Sequence, residues 1–236
     1  RGITKGLESN STGAEFTSTD YYSSFDSDGF TIASGGGGAG NGSSQTAVQW
    51  NWLAGGTASS NSNGSITSSV SANTTAGFSI VSWTGSNANA TIGHGLSSAP
   101  EFITIKNRND ASSWLTYLTT IGAGNFLRLN ETNASASGST PFNNTASTSS
   151  VFSVGGNNDT NGSSDSMIAY CFSSVKGYSK IGSYTGNGNA DGTFVYTGFK
   201  PAFFMIKRTT GSGYDWLMYD NKRQVSFNVI DDCNRE

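Results

Sequence analysis

Large apolar side chains alternate with polar or small ones in several short stretches of the chain. In one of them, Val48, Trp50 and Trp52 fall on one face of an extended strand, and Gln49 and Asn51 fall on the other. A period of two is typical of β-strands that are buried on one side. The pattern therefore predicts strands here and in similar stretches at 77–81, 102–106, 127–129, 168–172 and 203–207.

Clusters of Gly, Asn, Asp and Ser separate these stretches, as in 26–29, 85–87, 155–158 and 186–189. Gly and Asn supply the positive φ values that tight reversals need. No ten-residue window shows the apolar spacing of three and four that an amphipathic helix requires. Short strands with frequent turns predict an all-β fold of tandem β-sandwich repeats, jelly-roll or Greek-key-like, with almost no helix.

Much of the chain is written twice. The motifs in 77–117 return in the same order in 177–219, about 100 residues later, ending in Trp114-Leu115-Thr116-Tyr117 and Trp216-Leu217-Met218-Tyr219. A second block, 29–52, returns as 151–172 and includes Asn41-Gly42-Ser43-Ser44 and Asn161-Gly162-Ser163-Ser164. We therefore expect equivalent strands at 48–52 and 168–172, and at 102–106 and 203–207.

Two divisions of the chain fit this repeat. One gives β-repeat 1 at 1–120, with a polar insert at 57–76, and β-repeat 2 at 121–236. The other gives a complete β-sandwich unit at 77–176, flanked by half-units at 1–76 and 177–236. The insert has no counterpart in the second copy and is interpreted as a linker or surface excursion, in which Ile66 and Val70 could pair as a weak edge hairpin.

Composition indicates a folded chain, since 12% of residues are charged and 12% are aromatic, the reverse of a disordered sequence. The net charge is −3 without a basic run, which argues against nucleic acid as a partner. The chain contains no stretch of eighteen apolar residues, so we predict no helix inserted into a membrane. Cys171 and Cys233 are the only cysteines, and two free thiols are favoured over a single bridge.

The residues with catalytic chemistry form no recognisable constellation. His94 is the only histidine and is interpreted as a turn residue. Asp26-Ser27-Asp28-Gly29 has calcium-loop character but lacks the bidentate glutamate, so a plain turn is favoured. Nothing places Asp220, Asp231 or Asp232 across a groove from another acid, as glycoside hydrolysis would require. We predict no enzyme activity, no metal site and no cofactor.

The repeated aromatic residues leave room for sugar binding. Trp114 and Trp216 are predicted to lie in the core, because a sandwich of small polar residues needs its large rings inside. For Trp83 and Tyr184 core and surface are evenly balanced, since each precedes a Thr-Gly turn. At the surface they would form a glycan-binding site with Asn87, Asn89, Asn187 and Asp191. Lys106 and Lys207 end equivalent strands and are expected to extend their ammonium groups into solvent.

Several blocks of the chain resemble a known family. They are 78–81, Gly93-His94-Gly95-Leu96 with Pro100-Glu101-Phe102-Ile103, 106–108, 167–172, Gly177-Tyr178-Ser179-Lys180 with 182–188, and 199–203. Over nearly the whole chain they resemble a repeated β-domain of unknown function in large virion proteins of marine bacteriophages. Such proteins are typically tail-fibre-like or otherwise exposed on the particle. The resemblance implies a segment of a longer virion protein and transfers no site residue.

Two functions follow as expectations. The first is a non-enzymatic structural module of a phage tail fibre, spike or decoration protein at the virion surface, in contact with copies of itself or with other virion proteins. By resemblance to fibre proteins it would be a homo-oligomer, and it could touch glycans of the host surface. The second is a lectin-like carbohydrate-binding domain of a phage or bacterial adhesin.

Overall fold

A computed structural model describes residues 2–33, 41–44, 46–222 and 234–235, and for the last two the backbone only. The protein is nearly all β, as predicted. The elements are β1 (Lys5–Gly6), β2 (Phe16–Thr17), β3 (Tyr22–Phe25), β4 (Phe30–Ile32), β5 (Ser59–Asn61), β6 (Ser68–Asn73), β7 (Phe78–Thr84), β8 (Ala90–Gly93), β9 (Phe102–Asn107), β10 (Leu115–Leu118), β11 (Asn125–Arg128), β12 (Ala136–Ser137), β13 (Val151–Val154), α1 (Asn158–Asn161), β14 (Ser166–Phe172), β15 (Phe203–Ile206), β16 (Leu217–Asp220) and β17 (Asn234–Arg235).

Eight strands form one antiparallel sheet in the order β12-β11-β10-β9-β14-β7-β6-β5. Its central strand, β14, pairs with β7 over its whole length and with β9 on its other edge. Small sheets join β8 with β13, β1 with β2 and β3 with β4. A three-stranded sheet, β15-β16-β17, completes the described part of the chain.

The alternation of side chains sorts the large sheet into two faces. On the inner face, Val81, Ile105 and Ala169 are fully buried beneath Ile92 of β8 and Val154 of β13. Other members of this core come from the sheet and the loops around it: Val70, Trp83, Leu96, Ile103, Leu115, Tyr117, Phe126, Phe142, Phe152, Met167 and Cys171. This packing of one sheet on a smaller one is the sandwich that the sequence predicts.

The outer face is covered by other parts of the chain. Trp114, directly before β10, and Leu127 of β11 pack with Trp216, which precedes β16, and with Leu7 near the N-terminus. Trp114 and Trp216 are both buried, which confirms their prediction as core residues. Beside them, Trp52 packs against Phe78 and Phe172 on the outer side of β7 and β14.

Two local expectations are wrong. Residues 48–52 form no strand, although their counterpart 168–172 lies in β14. The insert 57–76 is not a linker, because it supplies β5 and β6, which extend the large sheet beyond β7. An edge hairpin does form, but Ile66 and Val70 do not pair in it: Val70 pairs with Ser59 and is buried in the core, and Ile66 forms a bridge with Ile92 of β8.

The predicted equivalence of the later hairpins is confirmed. The strands β15-β16-β17 pair in the same register as β9-β10-β11, since Leu115 opposes Ile105 and Arg128, and Leu217 opposes Ile206 and Arg235. Residues with positive φ also recur at repeat positions: Gly2 and Gly122, Ser44 and Ser164, Gly77 and Gly177, Asn87 and Gly188, and Gly95 and Gly198. The backbone therefore repeats even where the strands do not.

The two predicted divisions of the chain meet this fold differently. The boundary at 120 and 121 falls between β10 and β11, which are adjacent in one sheet. All strands of the large sheet and of the β8–β13 pair lie between Ser59 and Phe172, close to the alternative unit 77–176. How the chain divides into units stays a prediction.

Candidate functional site

The reactive side chains of the described residues are dispersed. Among them, no three His, Cys, Asp or Glu side chains lie close enough together to hold a metal ion. The Asp26–Gly29 segment is the turn between β3 and β4, as predicted, and the hydroxyl of Thr31 donates to the Asp26 carboxylate over 2.8 Å. Asp231, Asp232 and Cys233 lie outside the described residues.

Cys171 is a buried free thiol in β14. Burial raises its pKa to about 12, and the opposing Ser79 side chain counteracts this only in part. A thiol with such a pKa stays protonated near neutral pH and is a poor nucleophile. Cys171 is therefore a core residue.

The most unusual polar residue is Lys106, which is 0% exposed at the end of β9. The expectation that its ammonium group reaches solvent is wrong. Its Nζ lies within 3.3 Å of the carbonyls of Thr12, Asn107 and Asp110 and of the hydroxyl of Ser112. Burial lowers the pKa of Lys106, while the carboxylates of Asp159 and Asp110 raise it. The three N–H groups of the ammonium thus connect the β9–β10 loop to the N-terminal segment.

Trp114 acts on the same segment. Its indole Nε1 donates to the carbonyl of Glu8 over 2.8 Å, and the backbone N–H of Ser112 donates to Thr12. We call Lys106 and Trp114 the first clamp. It holds residues 8–12 by their backbone carbonyls, so the side chains of the held segment are free to vary.

The second repeat contains the same arrangement. The Nζ of Lys207 donates to the carbonyls of Thr132, Arg208 and Tyr214, and the indole of Trp216 donates to the carbonyl of Arg128 over 2.9 Å. We call Lys207 and Trp216 the second clamp. The held segments correspond, because Glu8 and Thr12 precede Arg128 and Thr132 by about 120 residues, the spacing of the first repeated block. The repeat therefore extends to tertiary contacts.

Trp83, the first aromatic residue of the predicted glycan site, is buried. Trp83 is only 5% exposed, packs against Phe152 in the inner core and donates its indole N–H to the Oδ1 of Asn161 over 3.1 Å. It has no free face for a sugar ring, so Trp83 takes the core position of the two that the sequence left evenly balanced, and its assignment to a glycan site is wrong. Asn161 also accepts from the backbone N–H of Ser86 and donates to the carbonyl of Ala88, which fixes the adjacent turn.

The other predicted site residues are exposed. Asn87 and Asn89 lie in the turn between β7 and β8, and Asn87 has a φ of 52°. Tyr184 is 51% exposed in the second repeat, where the side-chain amide of Asn187 donates to the carbonyl of Asp191. Glycan binding by these residues stays a prediction.

A surface that the sequence prediction missed lies over the outer face of β6, β7 and β14. This outer groove has a volume of about 610 Å³ and is lined by Ser69, Ser82, Ile80 and Ile168 with Arg108 at one side. An adjoining recess of about 410 Å³ shares the two serines and Arg108. Alternation of Ser69 and Ser71 with Val70 and Ala72 indicated a two-sided strand, but serine is so common in this chain that the pattern was not distinctive.

Arg108 is held in place by Glu15. Its Nε and one Nη donate to the two carboxylate oxygens over 2.8 and 2.9 Å, and this bidentate pair raises the pKa of Arg108 further. Such pairs are geometrically specific. The groove consequently presents hydroxyls, apolar side chains and a neutralised guanidinium, which suits an uncharged polar ligand.

Comparison with known proteins identifies a family. A family model described as a domain of unknown function, DUF7483, matches residues 1–235. The chain belongs to the DUF7483 family. No curated protein and no solved structure matches the chain.

In this DUF7483 chain, no described helix has the length and apolar character needed to cross a lipid bilayer. The clamps and the outer groove are thus features of a β-rich family member whose description assigns no activity.

His94, predicted as a turn residue, lies directly after β8 and is 0% exposed. Its Nδ1 accepts from the backbone N–H of Leu96, so the neutral ring carries its proton on Nε2 and donates to the carbonyl of Thr148, each over 3.1 Å. Protonation of Nδ1 would break the first of these bonds. Burial lowers the pKa of His94, and the bond to Thr148 only partly opposes this.

We expect this DUF7483 chain to lose stability as the pH falls below the ordinary histidine value of 6.5. The folded pKa is depressed, so the unfolded state binds the proton more readily and the full stability is present only above that value. The slope contributed by one such group is at most about 1.4 kcal/mol per pH unit. Urea unfolding at pH 7.5 and 5.5 should show a smaller pH dependence for His94→Gln than for the wild type, and equal dependence would contradict this role.

Proposed function

We propose that the chain is a non-enzymatic structural module of a bacteriophage virion, built into a tail fibre, spike or decoration protein at the particle surface. The observation that carries the proposal is the repeated clamp, in which Lys106 with Trp114 and Lys207 with Trp216 hold equivalent segments by backbone carbonyls. In each clamp, one part of the repeat holds an earlier segment of the chain through its backbone carbonyls. Contacts of this kind can recur in every copy of a repeat, as a structural protein built from repeated units requires. Phage origin rests on the family resemblance of the sequence.

Surface chemistry supports the same role. The chain has few charges and many Ser, Thr, Asn and Gly residues, and its net charge is −3. Such a surface interacts weakly with nucleic acid and depends little on salt. The proposed partners are copies of the chain and other virion proteins, in a homo-oligomer.

Mass spectrometry of purified particles of the encoding phage tests this proposal. We expect peptides from the chain to copurify with the particles and to disappear after mild surface proteolysis, because the module is exposed. A chain that remains in the soluble fraction of the lysate, with no peptides in the particles, would contradict a virion role.

A lectin-like function is the second candidate, and the outer groove favours it. Serine hydroxyls and the Arg108 guanidinium can bond sugar hydroxyls, while Ile80 and the exposed Leu53, which also lines the groove, can contact the apolar side of a ring. We place the proposed glycan contact in this groove because Trp83 is buried. Each site should bind weakly, in the millimolar range, and several copies would act together through effective concentration.

We expect Ser69→Trp, which fills the groove, to abolish binding of host-surface glycans on a glycan array. Ser62→Trp is the matched control, because Ser62 is also an exposed serine of the β5–β6 hairpin but does not line the groove. Binding that survives in both variants would exclude the groove as the site. An array on which the wild type binds nothing would exclude the lectin-like function.

A further inference from the structure

Exposed large hydrophobic side chains are confined to two parts of the described chain. The first comprises residues 22–33 and 46–53, in the N-terminal half-unit (1–76), and the second comprises 178–220, in the C-terminal half-unit (177–236). They include Tyr22, Phe25, Val48, Trp52 and Leu53 in the first, and Tyr178, Tyr184, Phe194, Val195, Tyr196, Phe204 and Tyr214 in the second. Phe194 is 85% exposed. Apolar surface concentrated in this way marks an interaction site.

The repeat shows what the C-terminal half-unit lacks. In the hairpin β9–β10, the inner-face residues Ile103 and Tyr117 are 1% and 2% exposed, because they lie in the inner core, where Tyr117 packs against Phe142. The equivalent residues of β15–β16 are Phe204 and Tyr219, which stack on each other with ring centroids 4.9 Å apart. Phe204 is nevertheless 41% exposed. The same face is thus a core in the first copy and a surface in the second.

One edge of β15 is also open. β9 lies between β10 and β14, whereas β15 pairs only with β16 among the described residues. The sequence equivalent of β14 is the segment 46–52, which has the matching alternation of Val48, Trp50 and Trp52 but forms no strand. In the N-terminal half-unit, the segment 46–52 therefore has the sequence of a strand but pairs with no sheet. In the C-terminal half-unit, one edge of β15 has no strand paired with it among the described residues.

The first copy shows which part of the chain supplies the strands that pair with a hairpin of this kind. There, β9 and β10 are completed by β11, β13 and β14, all of which lie downstream in the chain. β17 already occupies at β16 the place that β11 occupies at β10. The partner that β15 does not have among the described residues is therefore expected to be equivalent to β13 and β14, in the later part of a half-unit.

We propose that a second copy of the chain supplies this partner: its segment 46–52 adds to the open edge of β15, and its β4 covers the apolar face around Phe204. In this arrangement 46–52 occupies the position that β14 occupies beside β9. Strand addition of this kind gains main-chain hydrogen bonds along the edge and buries alternate side chains.

Within one copy, the segment 50–52 is engaged differently. Trp50 contacts Phe203, with ring centroids 5.5 Å apart, whereas Trp52 packs against Phe78 and Phe172 on the large sheet. A segment whose successive outward residues contact two different sheets bridges them and does not run along β15. Trp52 keeps 47% of its surface exposed in this bridge, and residues 46–52 belong to no strand there.

The resulting contact is head to tail, because each chain offers a different surface at its two ends. A heterologous contact of this kind closes into a ring or continues as a filament. The inference goes beyond the proposed function, which names copies of the chain as partners without a contact, since it specifies the strands that meet and would hold for a chain from any source.

The register predicts one cross-link. Cys171 of β14 lies directly opposite Ile103 of β9, and their repeat equivalents are Asn51 and Phe204. Directly opposed residues of antiparallel strands are within the range of a disulfide. Asn51→Cys in one copy should therefore form a disulfide with Phe204→Cys in another, in a Cys233→Ser background. The native Cys171 is buried and does not interfere.

The experiment mixes the two single-cysteine variants under mild oxidation and separates the products by non-reducing electrophoresis. We expect a covalent heterodimer from Asn51→Cys with Phe204→Cys, and a ladder of multimers from the double variant. Met205→Cys is the matched control, because the next residue along β15 faces the other side of the sheet and should give at least tenfold less product. Both Asn51 and Phe204 are exposed, so these changes should be tolerated by the fold.

Three results would overturn the proposal. A monomer with an internal disulfide in the double variant would mean that 46–52 completes β15 of its own chain. Equal cross-linking with Met205→Cys would mean a non-specific contact. Absence of any cross-link, with a single monomeric mass by light scattering at high protein concentration, would mean that the chain does not associate through this edge.

Discussion

Trp216→Ala should lower the free energy of unfolding by about 3–5 kcal/mol, the usual loss for a large aromatic residue in a core. Trp216 is 2% exposed, packs with Trp114 and Leu127 on the outer face, and donates its indole N–H to the carbonyl of Arg128. The substitution leaves a cavity and removes this hydrogen bond. Urea unfolding followed by circular dichroism measures the change.

Trp50→Ala is the comparison within the same chain. The alternation of residues 48–52 predicts a buried Trp50, but the residue is only half-buried and lies in no strand. We expect it to cost less than half as much as Trp216→Ala, and Asn51→Ala, at an exposed position, to cost little. Losses of equal size for the two tryptophans would mean that 46–52 is part of a core.

Lys106→Met should destabilise the protein by about 2–4 kcal/mol, because hydrogen bonds from a charged group are worth more than neutral ones and their loss leaves buried acceptors unpaired. Methionine has nearly the length and shape of lysine, so packing is largely retained. The acceptors that lose their donor are the carbonyls of Thr12, Asn107 and Asp110 and the hydroxyl of Ser112.

Lys207→Met provides the matched control. Lys207 contacts equivalent carbonyls in the second clamp, but these hydrogen bonds are exposed to water, which can replace the lost donor. We expect a loss below about 1 kcal/mol for this variant. Chemical unfolding of both variants decides the matter, and an equally small effect of Lys106→Met would contradict a structural role for the buried ammonium group.

The fold class was predictable because alternation is a local property. Residues 168–172 and 203–207 show it and lie in or at the end of strands, whereas 48–52 shows it as clearly and is not a strand. The pattern states which side chains share a face, but a strand also needs partners. β14 has β7 and β9 on its two sides, and 48–52 has no such neighbours within the described chain.

The burial of Trp83 could also have been predicted from the alternation of side chains. Trp83 shares a face with Val81 and Ser79 in β7, both of which are fully buried, so alternation assigns its ring to the core. Its position before a Thr-Gly turn gave the surface alternative equal weight. Proximity to a turn does not decide which face of the sheet a side chain occupies.

The contacts that fix the clamps could not be predicted from local pattern. The bond from Lys106 to Thr12 joins residues 94 positions apart, and the bond from Trp114 to Glu8 joins residues 106 apart. No single motif marks these pairs. The spacing of Glu8 and Arg128, and of Thr12 and Thr132, becomes meaningful only when the two clamps are compared.

The central claim is that the second repeat rebuilds the tertiary contacts of the first, and nuclear Overhauser contacts in an isotope-labelled sample test it most directly. We predict cross-strand contacts of Leu217 with Ile206 and Arg235, in the register that joins Leu115 with Ile105 and Arg128. The indole N–H of Trp216 should lie close to Arg128, as that of Trp114 lies close to Glu8. Helical contacts in 203–220, or strand pairing in another register, would contradict the claim.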